Sequence, residues 1–233
     1  MAAGASYRRD GDVIEFVVHR PERRNALGAA EWAVLEAAIA EAETGVGDFL
    51  LLRAEGDFFC AGVDLAWIEE TRREGNLLKL IEDNGETLRR LDKLSQFVIV
   101  AINGPALGIG THLALCGDVL LVSRSSYFAI PEAKLGIPDV MHFQWLEQRL
   151  GRHAAIDMVV LGERLSAADA VARGVAGYLY NDANALTIAI QDYLTRLRKV
   201  DPSVRRAIKA AAGSRANTHL QLNACAAVMT VGR

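Results

Sequence analysis

Two glycine-containing turns are the segments of this sequence best suited to chemistry. They are residues 58–65 (FFCAGVDL) and residues 103–110 (NGPALGIG). Each follows a predicted buried strand and the second opens a predicted helix, so a ligand can approach the backbone and the N–H groups there favour developing negative charge. Purely structural turns are the alternative, because glycine-rich connections are common. The second turn lacks the Gly-Lys-Ser/Thr ending of a Walker motif and a full GxGxxG, so it is not a phosphate-binding loop.

The elements that must position these turns alternate between strand and helix. Short apolar runs predict strands at residues 49–53, 97–102 and 119–122, and residues 7–19 predict a hairpin or edge pair around Asp10-Gly11. Helical spacing is found at residues 28–43, 77–94, 110–116, 152–162, 166–174, 185–200 and from 202 onward. This alternation predicts an α/β layered fold with right-handed crossovers and a helical C-terminal region.

The composition narrows the class of protein. A formal charge of −3 and a pI near 6.0 argue against a nucleic-acid partner or an anionic membrane surface. Cys60, Cys116 and Cys225 show no metal-ligand spacing, which indicates reduced thiols and no metal site. The first residues lack the apolar core of a secretion signal, and no long apolar run predicts a membrane span. We therefore expect a cytoplasmic protein.

Several motifs in order resemble those of the crotonase (enoyl-CoA hydratase/isomerase) superfamily. Residues 20–27 (RPERRNAL) resemble its RPxxxNAL element, and residues 59–65 (FCAGVDL) resemble its FxAGxDL turn. Residues 101–110 resemble its AxxGxxxGxG turn, and Pro131-Glu132 with Leu135-Gly136 and residues 161–174 resemble its later segments. The similarity covers residues 10–185.

The resemblance implies a crotonase-like spiral of ββα units over residues 1–185 and a helical trimerisation region over residues 186–233. It also implies an acyl-coenzyme A thioester as the substrate, no bound cofactor, and a homotrimer or homohexamer. By position, the backbone N–H groups of Val63 and Ile109 would form an oxyanion hole for the thioester oxygen. The family usually has glycine where Ile109 stands, but a backbone donor tolerates a side chain if its φ and ψ are allowed.

The acid/base positions of the resemblance distinguish reactions within the family. Its hydratases use two glutamates, and here the second matches Glu132 while the first falls on His112. A single acid suits moving a proton between two carbons, as in the enoyl-CoA isomerases, better than adding water. Partial burial would raise the pKa of Glu132 toward working pH. The alternatives are a solvent-facing loop glutamate and a packed or capping histidine.

A second enzyme hypothesis comes from residues 139–145 (DVMHFQW). Asp139 resembles an aspartate of the family's dienoyl-CoA isomerases, and with His142 and Trp145 the stretch also resembles 6-oxocamphor hydrolase, which cleaves C–C bonds in β-diketones. In that hypothesis Asp139, His142 and His112 activate water and no coenzyme A is needed. That enzyme's histidine at the Glu132 position is missing here.

The coenzyme A portion is assigned to residues of the first two motifs. Arg24 is a candidate phosphate partner, because guanidinium binds phosphate well, although a solvated arginine is the alternative. The other candidate substrate-binding residues are Ala26, Ala61, Asp64 and Leu65. Asp57 stands where relatives often carry a basic residue. Its presence and that of His112 motivate a third hypothesis, a non-catalytic acyl-CoA binder. The acyl chain itself is expected to contact Trp67, the following helix and residues near Met141.

Overall fold

The computed structural model describes residues 3–140 and 143–211. In chain order, its strands are β1 (Ala5–Asp10), β2 (Val13–Val18), β3 (Phe49–Ala54), β4 (Phe97–Ile102), β5 (Ala106–Leu107), β6 (Val119–Ser123), β7 (Tyr127–Ala129), β8 (Leu165–Ser166) and β9 (Tyr178–Tyr180). The helices are α1 (Ala29–Glu43), α2 (Leu65–Arg73), α3 (Leu77–Asp92), α4 (Ile109–Leu115), α5 (Phe143–Leu150), α6 (Arg152–Ile156), α7 (Ala167–Ala172), α8 (Ala183–Arg198) and α9 (Pro202–Ala211).

The larger sheet has the strand order β1-β2-β3-β4-β6-β9. Only β1 is antiparallel to its neighbour, and the β1–β2 hairpin closes at Gly11, whose φ is +59°. The central strands β3 and β4 are covered on both faces, which explains their almost uninterrupted apolar sequences.

The smaller sheet has the strand order β5-β7-β8. Each time the chain leaves a strand of the larger sheet, it adds one short segment on this side. After β3 the chain pairs Cys60 with Ala106, after β4 it forms β5, and after β6 it forms β7. The repeating unit is therefore a strand in the larger sheet, a short segment in the smaller sheet, and a helix. This is the crotonase-like spiral of ββα units that the resemblance implied.

The two faces of the larger sheet carry separate cores. One face packs against α1, α3 and α4 through buried residues such as Leu35, Leu88 and Leu113. The other face packs against Leu186, Ile190 and Leu194 of α8. Helix α9 is attached to the residues just before β3 and β6 by two ion pairs. Arg205 pairs with Asp48 at 2.7 Å, and Lys209 pairs with Asp118 at 2.6 Å.

Most predicted elements are confirmed, and the departures have local causes. The predicted strand at residues 97–102 coincides with β4, and α1, α3 and α8 lie within two residues of the predicted helix boundaries. The predicted helix at residues 152–162 is divided into α6 and a π-helical turn, Asp157–Leu161. Helix α2 was not predicted, because residues 58–65 were interpreted only as a turn, whereas Asp64 accepts a hydrogen bond from Ala66 N and starts a helix there.

Some predictions fall outside the described residues. Met141, His142 and the part of the predicted trimerisation region beyond residue 211 are among them. In the described ranges, every helix is too short or too polar to span a bilayer.

Candidate active site

The two glycine turns are joined directly to each other. Leu107 N donates to Cys60 O at 2.8 Å, and Phe59 N donates to Pro105 O at 3.1 Å. A β-carbon at Gly110 would lie 2.7 Å from both the backbone oxygen and the Cβ of Cys60, so only glycine allows α4 to start this close to the first turn. Burial raises the pKa of the Cys60 thiol to about 12, which keeps it protonated and unsuited to nucleophilic chemistry.

Val63 and Ile109 line one pocket, and their amide groups are not used by the fold. Around Val63, the neighbouring bonds are Leu27 N to Gly62 O and Asp64 N to Leu27 O, which leave the Val63 N–H out of the ladder. Ile109 is the first residue of α4, where an N–H has no partner within the helix. Across the described ranges, neither N–H donates a hydrogen bond to the protein. Both can therefore bind an external acceptor.

Glu132 lies at the start of a 3₁₀ turn (Glu132–Leu135) and faces the same pocket. Its carboxyl group packs on the Cα of Gly108, where a β-carbon would overlap Oε1. Oε2 is buried and has no hydrogen-bond partner among the described residues. Burial and the neighbouring Asp139 charge raise the pKa of Glu132 to about 7, although His112 opposes the increase. The carboxyl group can thus both take up and release a proton near neutral pH.

His112 and Asp139 form a pair beside Glu132. Their Nε2 and Oδ2 atoms are 2.5 Å apart, and both residues line the pocket. Burial favours the neutral ring, but the Asp139 carboxylate outweighs this and raises the pKa of His112 above its ordinary value. His112 is 2% exposed, so it is not a surface residue. Its position one turn after Ile109 explains how both residues reach one pocket.

The remaining pocket wall is mainly apolar and comes from α2, α3 and the loop after Glu132. It contains Leu65, Ile68, Leu77, Leu80, Ile81, Leu135, Ile137 and Pro138, with one amide side chain, Asn84. Trp67 packs against the main core instead. Asn84 was not identified from the sequence, and Gly108 was identified only as part of the second glycine turn. A signal for Asn84 existed, because it occupies an apolar-stripe position of the predicted helix 77–94.

The candidate coenzyme A residues are divided between the pocket and its surroundings. Ala61 and Leu65 line the pocket together with Val63, Ile109 and the acid/base candidates. Arg24, Ala26 and Asp64 do not line it. The Ala26 carbonyl accepts from Arg20 Nη1 at 2.9 Å, and Asp64 caps α2 while pairing with Arg20.

Arg24 is exposed and stacks on an aromatic ring. Its guanidinium lies 5.4 Å from the centroid of Phe58. The Arg24 carbonyl accepts from Ala61 N at 3.0 Å, so its backbone adjoins a residue of the pocket wall.

Comparisons with known proteins agree with this architecture. The family model described as enoyl-CoA hydratase/isomerase matches residues 8–229. The 1,2-epoxyphenylacetyl-CoA isomerase of Escherichia coli (strain K12) is 33% identical over 90% of this chain and 83% of its own length. The 2,3-dehydroadipyl-CoA hydratase of the same organism is 30% identical over 87% of this chain and 79% of its own length.

Solved structures show the same fold. The carnitinyl-CoA dehydratase from Mycobacterium avium 104 superposes with a TM-score of 0.84 at 26% identity, covering 98% of this chain and 93% of that one. The sequence match and the shared spiral confirm the resemblance: this chain belongs to the enoyl-CoA hydratase/isomerase family of crotonase-fold enzymes, which act on acyl-CoA thioesters.

Proposed function

We propose that the protein shifts a carbon–carbon double bond within an enoyl-CoA thioester, with Glu132 as the acid/base catalyst. The thioester oxygen accepts hydrogen bonds from Val63 N–H and Ile109 N–H. One such donor contributes on the order of 3 kcal/mol to the stability of an enolate in a site shielded from water. These contacts make the proton next to the carbonyl acidic enough to remove.

The proton balance requires only one acid/base group. Glu132 removes a proton from one carbon, which breaks a C–H bond and places negative charge on the thioester oxygen. The same carboxyl group then returns the proton to a second carbon of the conjugated system, which forms a new C–H bond and moves the double bond. No atom is gained or lost, and Glu132 returns to its starting form.

The observation that carries this proposal is the state of the Glu132 carboxyl group. It is the one acidic group in the described pocket wall that combines a buried oxygen lacking any partner with a pKa near neutrality. A structural carboxylate is normally paired, because an unpaired buried charge destabilises the fold. A group held near pH 7 is instead suited to proton transfer in both directions.

The residue at the other acid position favours isomerisation over hydration. His112 stands there and is engaged by Asp139 at 2.5 Å. A hydratase needs a second group that holds water. A glutamate offers two oxygen atoms for this, whereas an imidazole bound to a carboxylate offers at most one ring nitrogen. The pair instead places the His112 ring near Glu132, where it opposes the rise in the pKa of Glu132.

Relatives support the substrate class more strongly than the reaction. One similar protein is named an isomerase and another a hydratase, and both names contain a CoA thioester. For the coenzyme A portion we propose Arg24 as a phosphate contact, because its side chain is exposed and its backbone adjoins the pocket wall at Ala61. With Asp57 exposed nearby, we expect modest coenzyme A affinity.

The test is to identify products from a panel of enoyl-CoA esters incubated in deuterium oxide. Isomerisation gives a shifted double bond and no added water, with deuterium incorporated only to the extent that the proton on Glu132 exchanges with solvent before it is returned. Hydration adds one water per molecule. The Glu132→Gln variant should keep ester binding and lose kcat by about 10²- to 10⁴-fold, the usual contribution of a general acid/base. Retained wild-type turnover in this variant would overturn the assignment. A wild-type protein that binds esters without turnover would be a non-catalytic binder.

A second candidate function rests on the His112–Asp139 pair. A histidine held by a carboxylate is suited to activating water, so the pair supports hydrolysis of a C–C bond in a β-diketone without coenzyme A. Adding cyclic and linear β-diketones to the same panel separates the two functions. Cleavage of a free diketone, sensitive to His112→Gln and independent of coenzyme A, would favour this candidate.

We also propose that the region from residue 186 onward serves in trimer formation, as the family resemblance implies. Large apolar side chains on α8 and α9 are well exposed, with Ile188 at 73% and Ile208 at 61%. Analytical ultracentrifugation of the full chain tests this, and a monomer at micromolar concentration would contradict it.

A further inference from the structure

One polar side chain in the acyl pocket is left unsatisfied by the protein. Asn84 lies on the face of α3 that also carries Leu77, Leu80 and Ile81, and all of these residues line the pocket. Asn84 is only 4% exposed, and its Oδ1 atom is buried with no hydrogen-bond partner within residues 3–140 and 143–211. A buried carbonyl oxygen in this state destabilises the fold. Leucine at this position would continue the apolar stripe without that cost.

The neighbouring buried polar residue on the same helix behaves differently. The hydroxyl group of Thr87 donates to Glu36 Oε1 at 2.9 Å or to the Asp83 carbonyl at 3.0 Å. Thr87 is therefore satisfied within the protein and does not line the pocket. The contrast indicates that the missing partner of Asn84 belongs to whatever occupies the pocket.

The charges of the pocket restrict that partner. Its described wall contains two carboxylates, Glu132 and Asp139, and no lysine or arginine. An acyl chain ending in a carboxylate would meet no lysine or arginine there, and it would meet two carboxylates and an amide oxygen of the same sign of charge. A neutral hydroxyl group costs less to desolvate than an ammonium group, and it can donate to Oδ1.

We propose that Asn84 determines specificity by accepting a hydrogen bond from a hydroxyl group on the acyl chain. The substrate class is thus a hydroxylated enoyl-CoA ester. This inference rests on the proposed function, because it assumes that the acyl chain occupies the pocket beside Glu132. A chain without the hydroxyl group leaves the amide oxygen unpaired, which is how a polar pocket discriminates against a smaller analogue.

The experiment uses pairs of CoA esters that share one carbon skeleton and differ by a single hydroxyl group, with the hydroxyl position varied along the chain. Dissociation constants are measured on the Glu132→Gln variant, which holds esters without turnover, and kcat/KM is measured on the wild-type enzyme. We expect one hydroxylated ester to be favoured about 10- to 100-fold over its unsubstituted partner. The Asn84→Leu substitution should abolish or reverse this preference.

Two further measurements separate specificity from structure. Asn84→Leu should keep or raise the Tm, because it removes an unsatisfied buried group, whereas a structural asparagine would make the variant less stable. The control Thr87→Val should lower the Tm and keep the hydroxyl preference. Equal binding of both esters in every pair would show that Asn84 meets only water and would overturn the inference alone. Binding of no ester by either protein would overturn the proposed function as well.

Discussion

Two clusters of buried and half-buried polar groups differ in their hydrogen bonding. The anchor cluster comprises Arg20, Asn25, Glu31 and Asp64. The pocket cluster comprises Asn84, His112, Glu132 and Asp139. Both are formed by residues that are costly to bury. The anchor cluster is paired throughout, whereas the pocket cluster retains buried oxygen atoms without partners on Asn84 and Glu132.

The anchor cluster shows how complete pairing stabilises a turn. Asn25 is fully buried, accepts from Arg20 N at 2.8 Å, and donates to the carbonyls of Glu55 at 2.7 Å and Phe58 at 2.6 Å. Arg20 then pairs with Glu31 at 3.0 Å and Asp64 at 3.2 Å. These bonds connect the end of β2, the start of α1, the first glycine turn and the start of α2.

The comparison separates two uses of buried polarity. In the anchor cluster, the polar groups satisfy each other and fix the backbone that carries Val63. In the pocket cluster, the protein accepts a loss of stability and leaves hydrogen-bonding capacity for a ligand or a proton. Substitutions in the first cluster should therefore change stability, and those in the second should change reactivity or pH dependence.

The largest effect is expected from Asn25→Ala in the anchor cluster. The change removes the partner of three part-buried backbone groups, and it places alanine at a φ of +56°, where asparagine is tolerated better. We expect a loss of about 4 kcal/mol in the free energy of unfolding. Urea titration measures it, with Asn25→Asp as a control that keeps the acceptor only. A change below about 1 kcal/mol would remove the distinction between the clusters.

Gly108→Ala should have the next largest effect, and it acts on the pocket cluster. The new β-carbon would overlap Glu132 Oε1, and residue 108 has φ +53° and ψ −120°, a conformation that alanine adopts only with strain. We expect kcat to fall about 100-fold, equivalent to about 3 kcal/mol, because the carboxyl group is displaced. Gly136→Ala, at φ +70° and ψ +20° with open space around it, is a control for a positive φ without the steric overlap, and it should keep kcat.

The pH dependence of stability should show the unpaired state of Glu132. Its pKa is about 7 in the folded protein against 4.5 for an ordinary glutamate, so the folded state binds more protons between these pH values. The free energy of unfolding should therefore fall as pH rises from 4.5 to 7, by at most about 3 kcal/mol from this group. Comparing wild type with Glu132→Gln by urea titration isolates the effect. Parallel curves for the two proteins would show that folding does not shift the pKa of Glu132.

The smallest expected effect is a shift of the pH–rate profile in Asp139→Asn. The Asp139 charge raises the pKa of Glu132 more than His112 lowers it, so removing that charge should lower the pKa of Glu132. The acidic limb of kcat/KM should move to lower pH by about one unit, because the base form then persists in more acid solution. An acidic limb that stays at the wild-type pH would mean that the Asp139 charge does not raise the pKa of the titrating base.

The long elements could be predicted from the sequence, and the short ones could not. Strand β4 and helix α3 have clear apolar patterns and lie where the patterns indicated. Strands β5, β7 and β8 have two or three residues each, which is too short for any periodicity to appear. They form because the long strands bring these segments side by side in the folded chain. Such tertiary contacts leave no local pattern in the sequence.

The candidate site shows the same division. The motifs predicted a pocket shared by Val63, Ile109, Glu132, His112 and Asp139, and the structure brings all five to one pocket. Their roles stay predictions. Asn84 was not predicted. Its place on an apolar stripe can be read from the sequence, but its lack of a hydrogen-bond partner is evident only in the structure. Arg24 was chosen for its charge, yet its side chain stacks on Phe58 outside the pocket wall.

The direct joining of the two glycine turns has a consequence for how this enzyme can diversify. The amides of Val63 and Ile109 belong to the main chain, and their separation is set by hydrogen bonds between backbones. Replacing a side chain leaves both donors in place. The wall contributed by α2 and α3 consists of side chains on helices outside those bonds. Substitutions in that wall alone can therefore change which substrate binds, while the chemical step stays the same.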